Sequence, residues 1–519
     1  MDLRLLVPAM VVWAVTITGL LAPVQVLATV AIGAGTCCTV CIVACRRGLV
    51  AWRMVGLVVV GAGLAATCAV ALLIRQEQRL AHPLTEVTGK VTVTMVVRDD
   101  PVLIGQERHG RVRARVTVDG IGTRRVPAAA AELTGDVGEF ADLLPGQRVR
   151  ALVRVRPPPR GTVLVASLTA SGPPTAIGRP PVHQRVAGSV RDRLQITSSR
   201  ALSAAAAGLL PGLVIGDVRS LDPSVREQFR DAGLSHLTAV SGSNFAIVCG
   251  AVLLAVRAAG ASPRVAAVLG AVTIIGFVIL VRPSPSVVRA AIMGGVGLLA
   301  LLSSRRAQAF PALGAAVIGG LLWWPELALA PGFALSVVAT AGLVMWAPRL
   351  RDRLRGARVP AGLAEVLAMA IAAQVVTAPV VAMVTGTFSV VGVIANLLVA
   401  PVVALISVVG TGAAILGALG PPGGIGASVG ELLIRGLGPE LWWMLWCART
   451  LGSPRWANIP VPDGVAGAAV VALVTATVIV GVREGWCRMT RAPSPTRKAL
   501  SEWHSRFNRS NDNDSPELS

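Results

Sequence analysis

Two periodicities divide this chain. Apolar residues run almost unbroken over 5–21, 24–44 and 54–74. They resume at 234–256, 265–281, 287–303, 307–324, 327–347, 362–385, 388–419, 426–447 and 465–482. A helix needs about 20 apolar residues to cross roughly 30 Å of hydrocarbon, so these runs predict a polytopic α-helical membrane protein of about twelve spans. The first two form a hairpin turning at Ala22-Pro23. No small-residue cleavage site follows a single short apolar core, so the first run reads as a retained span.

Between the third and fourth runs the period falls to two. Val91, Val93, Met95 and Val97 alternate with Thr92, Thr94, Val96 and Arg98. Val112, Ala114 and Val116 alternate with Arg111, Arg113 and Arg115. Val149, Ala151, Val153 and Val155 alternate with Arg148, Arg150, Leu152, Arg154 and Arg156. One apolar face per segment means half-buried strands, punctuated here by Gly120, Gly122, Gly135, Gly138, Gly146 and Gly161. About five such strands suit a small β-barrel of the OB type, inserted into the helical protein. The expected plan is transmembrane helices over 1–74, an extracytoplasmic OB-like domain over 75–200, a polyhelical core over 201–485, and a polar, disordered cytoplasmic tail over 486–519.

Charge sharpens this picture. The chain is 54% hydrophobic yet carries a formal charge of +21. Arginines cluster between the runs: Arg46, Arg47 and Arg53; Arg305 and Arg306; Arg349, Arg351, Arg353, Arg355 and Arg358; then Arg483, Arg488, Arg491 and Arg497 with Lys498. Placing all four clusters in the cytoplasm lets the spans alternate without conflict, with both termini inside and 75–200 outside. Topology explains those arginines. It does not explain residues 75–200, which hold 20 Lys+Arg against 11 Asp+Glu. That excess favours an anionic partner. The rows Arg111, Arg113, Arg115 and Arg148, Arg150, Arg154, Arg156 are candidate phosphate contacts, against the blander reading of a solvated strand face. Phe140 is the only Phe, Trp or Tyr ring between 75 and 200, so binding there would be electrostatic rather than by stacking.

None of the eight cysteines falls in 75–200, so no disulfide framework is expected there. Cys37, Cys38, Cys41 and Cys45 share helix-face spacing, which reads as small-residue helix packing rather than a metal site. No cofactor is expected.

The most informative polar stretch runs from Gly216-Asp217 through Leu221-Asp222-Pro223 and Phe229 to Gly233-Leu234-Ser235-His236 and Ala239-Val240-Ser241-Gly242-Ser243-Asn244. Polar groups entering a bilayer face a cavity, a partner or a pathway. Asp222-Pro223 reads as a helix start, and 201–233 as a piece lying along the membrane surface. Arg282 and Arg289 flank Pro283-Ser284-Pro285; they either snorkel to headgroups or contact phosphate at a pore mouth. Gln374 and Asn396 lie inside apolar runs and must face a helix or a passage. Glu326, after Trp323-Trp324-Pro325, reads as interfacial.

These residues resemble the ComEC-type competence channel family. The resemblance is carried by the 216–242 stretch, then Arg289-Ala290-Ala291-Ile292-Met293, Pro331-Gly332-Phe333-Ala334-Leu335-Ser336, and Gln374 with Thr377, Pro379, Phe388-Ser389 and Asn396. It implies a channel that passes a single DNA strand into the cytoplasm, lined by His236, Ser241, Asn244, Arg289, Gln374 and Asn396. The implied partners are single-stranded DNA, a membrane-anchored DNA receptor and a cytoplasmic ATP-driven motor, with further copies of the chain left open. Two departures stand out. The histidines are His82, His109, His183, His236 and His504, without the His-x-His-x-Asp-His motif of the metallo-β-lactamase-like domain that many members carry. Asn244 also stands where the family often has a histidine.

No enzymatic activity is expected. The alternatives are a small-molecule permease, which would want buried carboxylates in several spans, and an intramembrane hydrolase using Ser241 and His236, for which the sequence lacks a Gly-x-Ser-x-Gly elbow.

Overall fold

The structure, a computed structural model, describes residues 5–47, 52–87, 89–104, 110–238, 240–302, 309–421 and 423–491. The arginines at 305, 306 and 497, Lys498 and the tail beyond 491 lie outside the described residues.

Three helices open the chain: α1 (Leu6–Leu21), α2 (Val24–Arg46) and α3 (Trp52–Leu80). The turn between α1 and α2 falls at Ala22-Pro23, where proline's missing N–H ends one helix and starts the next. α3 runs well past a bilayer's thickness. Near its end Arg75 donates to the Leu322 carbonyl at 2.8 Å, and Arg79 donates to the Thr162 carbonyl at 2.9 Å.

Seven strands follow: β1 (Lys90–Val97), β2 (Val102–Ile104), β3 (Arg111–Ile121), β4 (Arg124–Asp136), β5 (Arg148–Arg156), β6 (Ala166–Ala170) and β7 (Thr175–Ala176), with a one-turn helix, α4 (Val137–Phe140), between β4 and β5. Five of them close on themselves in the order β1-β3-β4-β6-β5, with β5 pairing back to β1. Only β4 and β6 run parallel. This is an OB-like barrel. Closure removes the edges that short strands would otherwise expose. Period-two patterning sets the register: along β3, burial alternates from exposed Arg111 to buried Val112 and onward. The bulges at Thr94/Met95 and Val118/Gly120 add the extra coil that a small barrel needs. The interior holds Val93, Met95, Val97, Val116, Val118, Leu133, Val149, Val153 and Leu168, with Phe140 against them. Phe140 fits because position 135 is glycine; a Cβ there would come within 2.5 Å of the ring. The barrel occupies 90–176, narrower than the 75–200 span read from sequence, because the period-two pattern stops where helix resumes.

The rest is helical apart from two three-residue strands, β8 (Thr387–Ser389) and β9 (Asn458–Pro460): α5 (Val182–Ala201), α6 (Ala204–Ile215), α7 (Pro223–Asp231), α8 (Gly242–Ala258), α9 (Pro263–Val281), α10 (Pro285–Leu302), α11 (Ala309–Trp323), α12 (Pro331–Gly356), α13 (Ala361–Thr385), α14 (Gly392–Ala418), α15 (Ile425–Gly436), α16 (Gly438–Gly452) and α17 (Val465–Arg491). Among the described residues, seven helices are long and apolar enough to cross a membrane: α2, α9, α10, α12, α13, α14 and residues 55–80 of α3. Five shorter apolar helices accompany them. The roughly twelve apolar runs read from the sequence thus divide into long helices and helices shorter than a full span. The run 426–447 is not one span but α15 and α16, broken at Gly436-Leu437-Gly438. The runs at 234–256 and 327–347 begin with 3₁₀ turns and the run at 388–419 with a short strand before their helices start. Hydropathy alone cannot see such breaks, because they are made by glycine and proline inside apolar sequence.

The largest core cluster lies among α5, α6, α7, α14, α15 and α16. Separately, residues 378–388 and 460–491 form a compact unit in which Ala378, Ala382 and Val471 pack with Phe388 and Val461.

Candidate functional site

The site begins with a helix too short to span. α6 (AAAAGLLPGLVI) is apolar all round, and Ala206 through Ile215 are all buried. At 1.5 Å per residue its twelve residues cover about 18 Å, well short of a hydrocarbon core. Sequence reading laid this piece on the membrane surface; the structure buries it, because it has no polar face to offer water. It stops at Gly216, whose φ of 72° is the left-handed cap that glycine adopts without strain. Its last carbonyls are met by side chains. Arg191 of α5 donates to the Ile215 carbonyl at 2.9 Å, and Asn244 Nδ2 donates to the Leu213 carbonyl at 3.1 Å.

Asn244 belongs to the first turn of α8, which Ser241 caps by accepting from the Asn244 N–H at 3.3 Å. The carbonyl end of one short helix therefore meets the N–H end of another. Irregular backbone at this depth is tolerated only where side chains satisfy it or where it lines a passage.

An ion cluster surrounds the α6 terminus. Asp217 is 2% exposed and accepts from Arg219 Nε at 2.9 Å and Nη2 at 2.6 Å. Arg191 Nη2 lies 3.9 Å from Asp217 and 3.4 Å from Asp100, which sits on the barrel beyond β1. Arg282 Nε donates to the same Asp100 at 3.0 Å. Burial alone would raise the Asp217 carboxyl, but the Arg219 hydrogen bonds and the Arg191 charge outweigh it and hold the group below the usual carboxylate range. Asp217 was legible in the sequence as part of a motif. Its link through Arg191 to Asp100 and Arg282 was not, because these come from α5, the barrel and the end of α9. Arg282 does not snorkel to headgroups: it is largely buried, with φ at 76°.

Arg289, on α10, does not snorkel either. It is 7% exposed. Its Nε donates to Ser336 Oγ at 2.9 Å and its Nη1 to Thr340 Oγ1 at 2.9 Å, both on α12, and Nη1 also meets Met293 Sδ at 3.3 Å. Among the described residues no carboxylate pairs with it. Thr340 carried no signal in the sequence, since a threonine in an apolar helix usually bonds its own backbone, as this one also does to Ser336.

Gln374 and Asn396 converge on one glycine. Gln374 Nε2 donates to the Ser389 carbonyl at 3.3 Å and its amide lies against Gly392, whose carbonyl accepts from Asn396 Nδ2 at 2.8 Å. The 232–244 loop reaches this place too. A Cβ on Gly233 would lie 3.0 Å from Gly392 Cα and from Ser389 Oγ. That loop thus joins the Gln374/Asn396 cluster to the Arg289/Asn244 cluster. His236 lies on it with an exposed side chain and no hydrogen bond among the described residues. Ser241 Oγ is engaged by Ser243 Oγ at 2.6 Å and Asn244 Oδ1 at 3.1 Å, not by His236. Ala239 lies outside the described residues.

On the barrel, the seven candidate arginines divide. Arg111, Arg113 and Arg115 lie on β3 opposite Asp136, Thr134 and Glu132 of β4. Arg113 pairs with Glu132 at 3.6 Å, and Arg115 stacks over Trp324 at 4.4 Å from the ring centre. On β5, Arg148 pairs with Asp119 at 2.8 Å, while Arg150, Arg154 and Arg156 are exposed with no carboxylate partner among the described residues. Lys90 of β1 stands across from Arg154. The open cationic face is therefore β5–β1, and the β3–β4 face is largely compensated. Glu326 turns toward the barrel, accepting from the Val163 N–H at 3.4 Å.

A family model described as Competence protein matches residues 213–486, which takes in the α6 terminus, Asp217, the 232–244 loop, Arg289, Gln374 and Asn396. ComE operon protein 3 of Bacillus subtilis (strain 168) is 26% identical over 191 residues, 37% of this chain and 24% of that protein. The match thus spans about a quarter of that relative's length. No solved structure matches. The helical architecture, its OB-like insert and a family match over more than half of its length agree: this chain belongs to the Competence protein family.

Proposed function

We propose that this chain is a multi-pass membrane channel that passes single-stranded DNA into the cytoplasm during DNA uptake. The barrel lies outside the membrane and both termini lie inside. A membrane-anchored DNA receptor delivers the strand and a cytoplasmic ATP-driven motor draws it in. The observation that carries this reading is the meeting of two short helices, α6 and α8, beside a buried arginine that has no carboxylate partner among the described residues. Broken helices leave backbone dipoles facing a passage, and a strand of phosphates needs fixed positive charge along its way. A permease for cations would present the opposite sign. A hydrolase would need Ser241 to deliver its proton to His236, whereas Ser241 Oγ is occupied within its own turn.

The test is uptake of labelled DNA by cells bearing Gln374→Leu together with Asn396→Leu. Leucine dewets a polar constriction, so uptake should fall below detection with the protein still inserted at normal level. Ser241→Ala should stay within about threefold of wild type, since it removes only neutral hydrogen bonds within its own turn, to Ser243 and Asn244, and leaves the width of the passage. Normal uptake in the double leucine variant would sink the passage, and a dead Ser241→Ala would favour catalysis.

A further inference from the structure

Among the described residues Arg289 is a charge without a countercharge, and it points at a helix end of its own sign. Two hydroxyls and a thioether hold its Nε and Nη1, and none of them is charged. Nη2 has no hydrogen bond among the described residues. That free nitrogen lies against the first turn of α8, so closely that a Cβ on Gly242 would come within 2.6 Å of it. The Gly242 and Ser243 N–H groups likewise make no hydrogen bond among the described residues, because Ser241 caps Asn244 instead. A guanidinium on α10 and the N–H end of a 17-residue helix thus converge. Both are positive, and each makes the other more costly unless an anion sits between them. Asp217, the nearest carboxylate in the motif, is already held by Arg219 and Arg191. Ser336 and Thr340 position the guanidinium so that one edge stays free.

We propose that Arg289, with the Gly242 and Ser243 N–H groups, forms a phosphate clamp that takes one phosphodiester of a nucleic-acid strand at a time. Backbone N–H groups at a helix start and a guanidinium edge are the donors that tetrahedral phosphate oxygens accept best. The proposal rests on the DNA-passage reading above and adds where the strand dwells. Ser336 and Thr340 are positioning residues.

The experiment uses the full chain in phosphatidylcholine nanodiscs and a single-stranded oligonucleotide containing 4-thiothymidine, with photocrosslinks mapped by mass spectrometry. Crosslinks should fall within 240–244 and on the facing turns of α10 and α12. Millimolar inorganic phosphate should reduce them, and a methylphosphonate backbone, which is neutral, should abolish them. Arg289→Gln should lower their yield by about tenfold, the effect of one lost hydrogen bond to a charged group, and Arg289→Lys should restore most of it. Should Arg289→Gln fail to insert, Gly242→Ala tests the same point, because its methyl displaces Nη2 while leaving the charge. Crosslinks that persist in Arg289→Gln or Gly242→Ala would overturn the clamp. So would crosslinks lost in phosphatidylglycerol nanodiscs, since the resident would then be a lipid headgroup. An absence of crosslinks at α8, alongside uptake that still depends on Gln374 and Asn396, would remove the clamp and leave the passage standing.

Discussion

Arginine does two different jobs in the two regions of this molecule. On the barrel it stands on exposed strand faces, and three of the seven arginines in what looks like a phosphate-binding row are spent inside the protein: Arg113 on Glu132, Arg148 on Asp119, Arg115 on Trp324. In the helical core Arg191 and Arg289 are buried. Arg191 caps two helix ends and pairs with two aspartates; among the described residues Arg289 has neither a carbonyl end of a helix to cap nor an acid. Exposed arginine costs little, so its abundance is weak evidence of a ligand. A buried charge costs several kcal/mol, so each one needs a reason. For Arg191 the reason is structural and visible, while for Arg289 the proposed reason, a phosphate, lies outside the chain.

The largest expected effect comes from breaking the structural half of that contrast. Asp217→Ala would leave Arg191 and Arg219 without their shared carboxylate and should cost about 3 kcal/mol, read as a lower thermal midpoint of the detergent-solubilised protein. Acid should act the same way. The folded-state pKa of Asp217 lies below its unfolded value, so its stabilisation is fully present above about pH 4 and is lost as the pH falls through the folded value. Asp217→Asn should flatten that acid limb. An unchanged midpoint in Asp217→Ala would mean the cluster is decorative.

A middling effect separates the two barrel faces. Replacing Arg150, Arg154 and Arg156 together with alanine should weaken oligonucleotide binding by the full chain at about 20 mM salt, where screening is weak. Three lost phosphate contacts should also lower the salt-dependence slope by about two. Arg113→Ala with Arg148→Ala should change the slope by less, because each already has an acid partner. Equal slopes for the two sets would show that the pairing does not matter in solution.

The sequence carried the barrel well. Period two is a local signal, and β1, β3 and β5 fall where the Val/Arg and Val/Thr alternation put them. It carried the long helices too, since hydropathy is additive over a window. It missed what depends on a partner. α6 looks like any apolar run until its twelve residues are seen to end at Gly216 against α8. The 426–447 run looks continuous until α15 turns into α16. Asp100 looks like a loop aspartate until Arg191 and Arg282 arrive from more than ninety residues away. Arg289, Gln374 and Asn396 were visible as polar residues in apolar surroundings, but their hydroxyl and carbonyl partners were not, because neither serine nor threonine announces itself in a helix.

The smallest expected effect falls where the two regions touch. Arg115 belongs by register to the candidate nucleic-acid row, yet its guanidinium lies 4.4 Å from the Trp324 ring centre, between a barrel strand and the end of α11. A partly exposed cation–π contact contributes about 0.5–1 kcal/mol. Trp324→Leu keeps an apolar side chain and removes the quadrupole, so it should lower the thermal midpoint slightly. It should also release Arg115, and oligonucleotide binding at low salt should tighten by about twofold, well under the tenfold that a full contact to a charged group brings. Arg115→Ala should give the same loss of stability without tightening the binding. If Trp324→Leu weakens binding instead, the ring itself is part of the nucleic-acid surface, and the barrel, with Phe140 buried in its interior, borrows from the helical region the stacking group that it lacks.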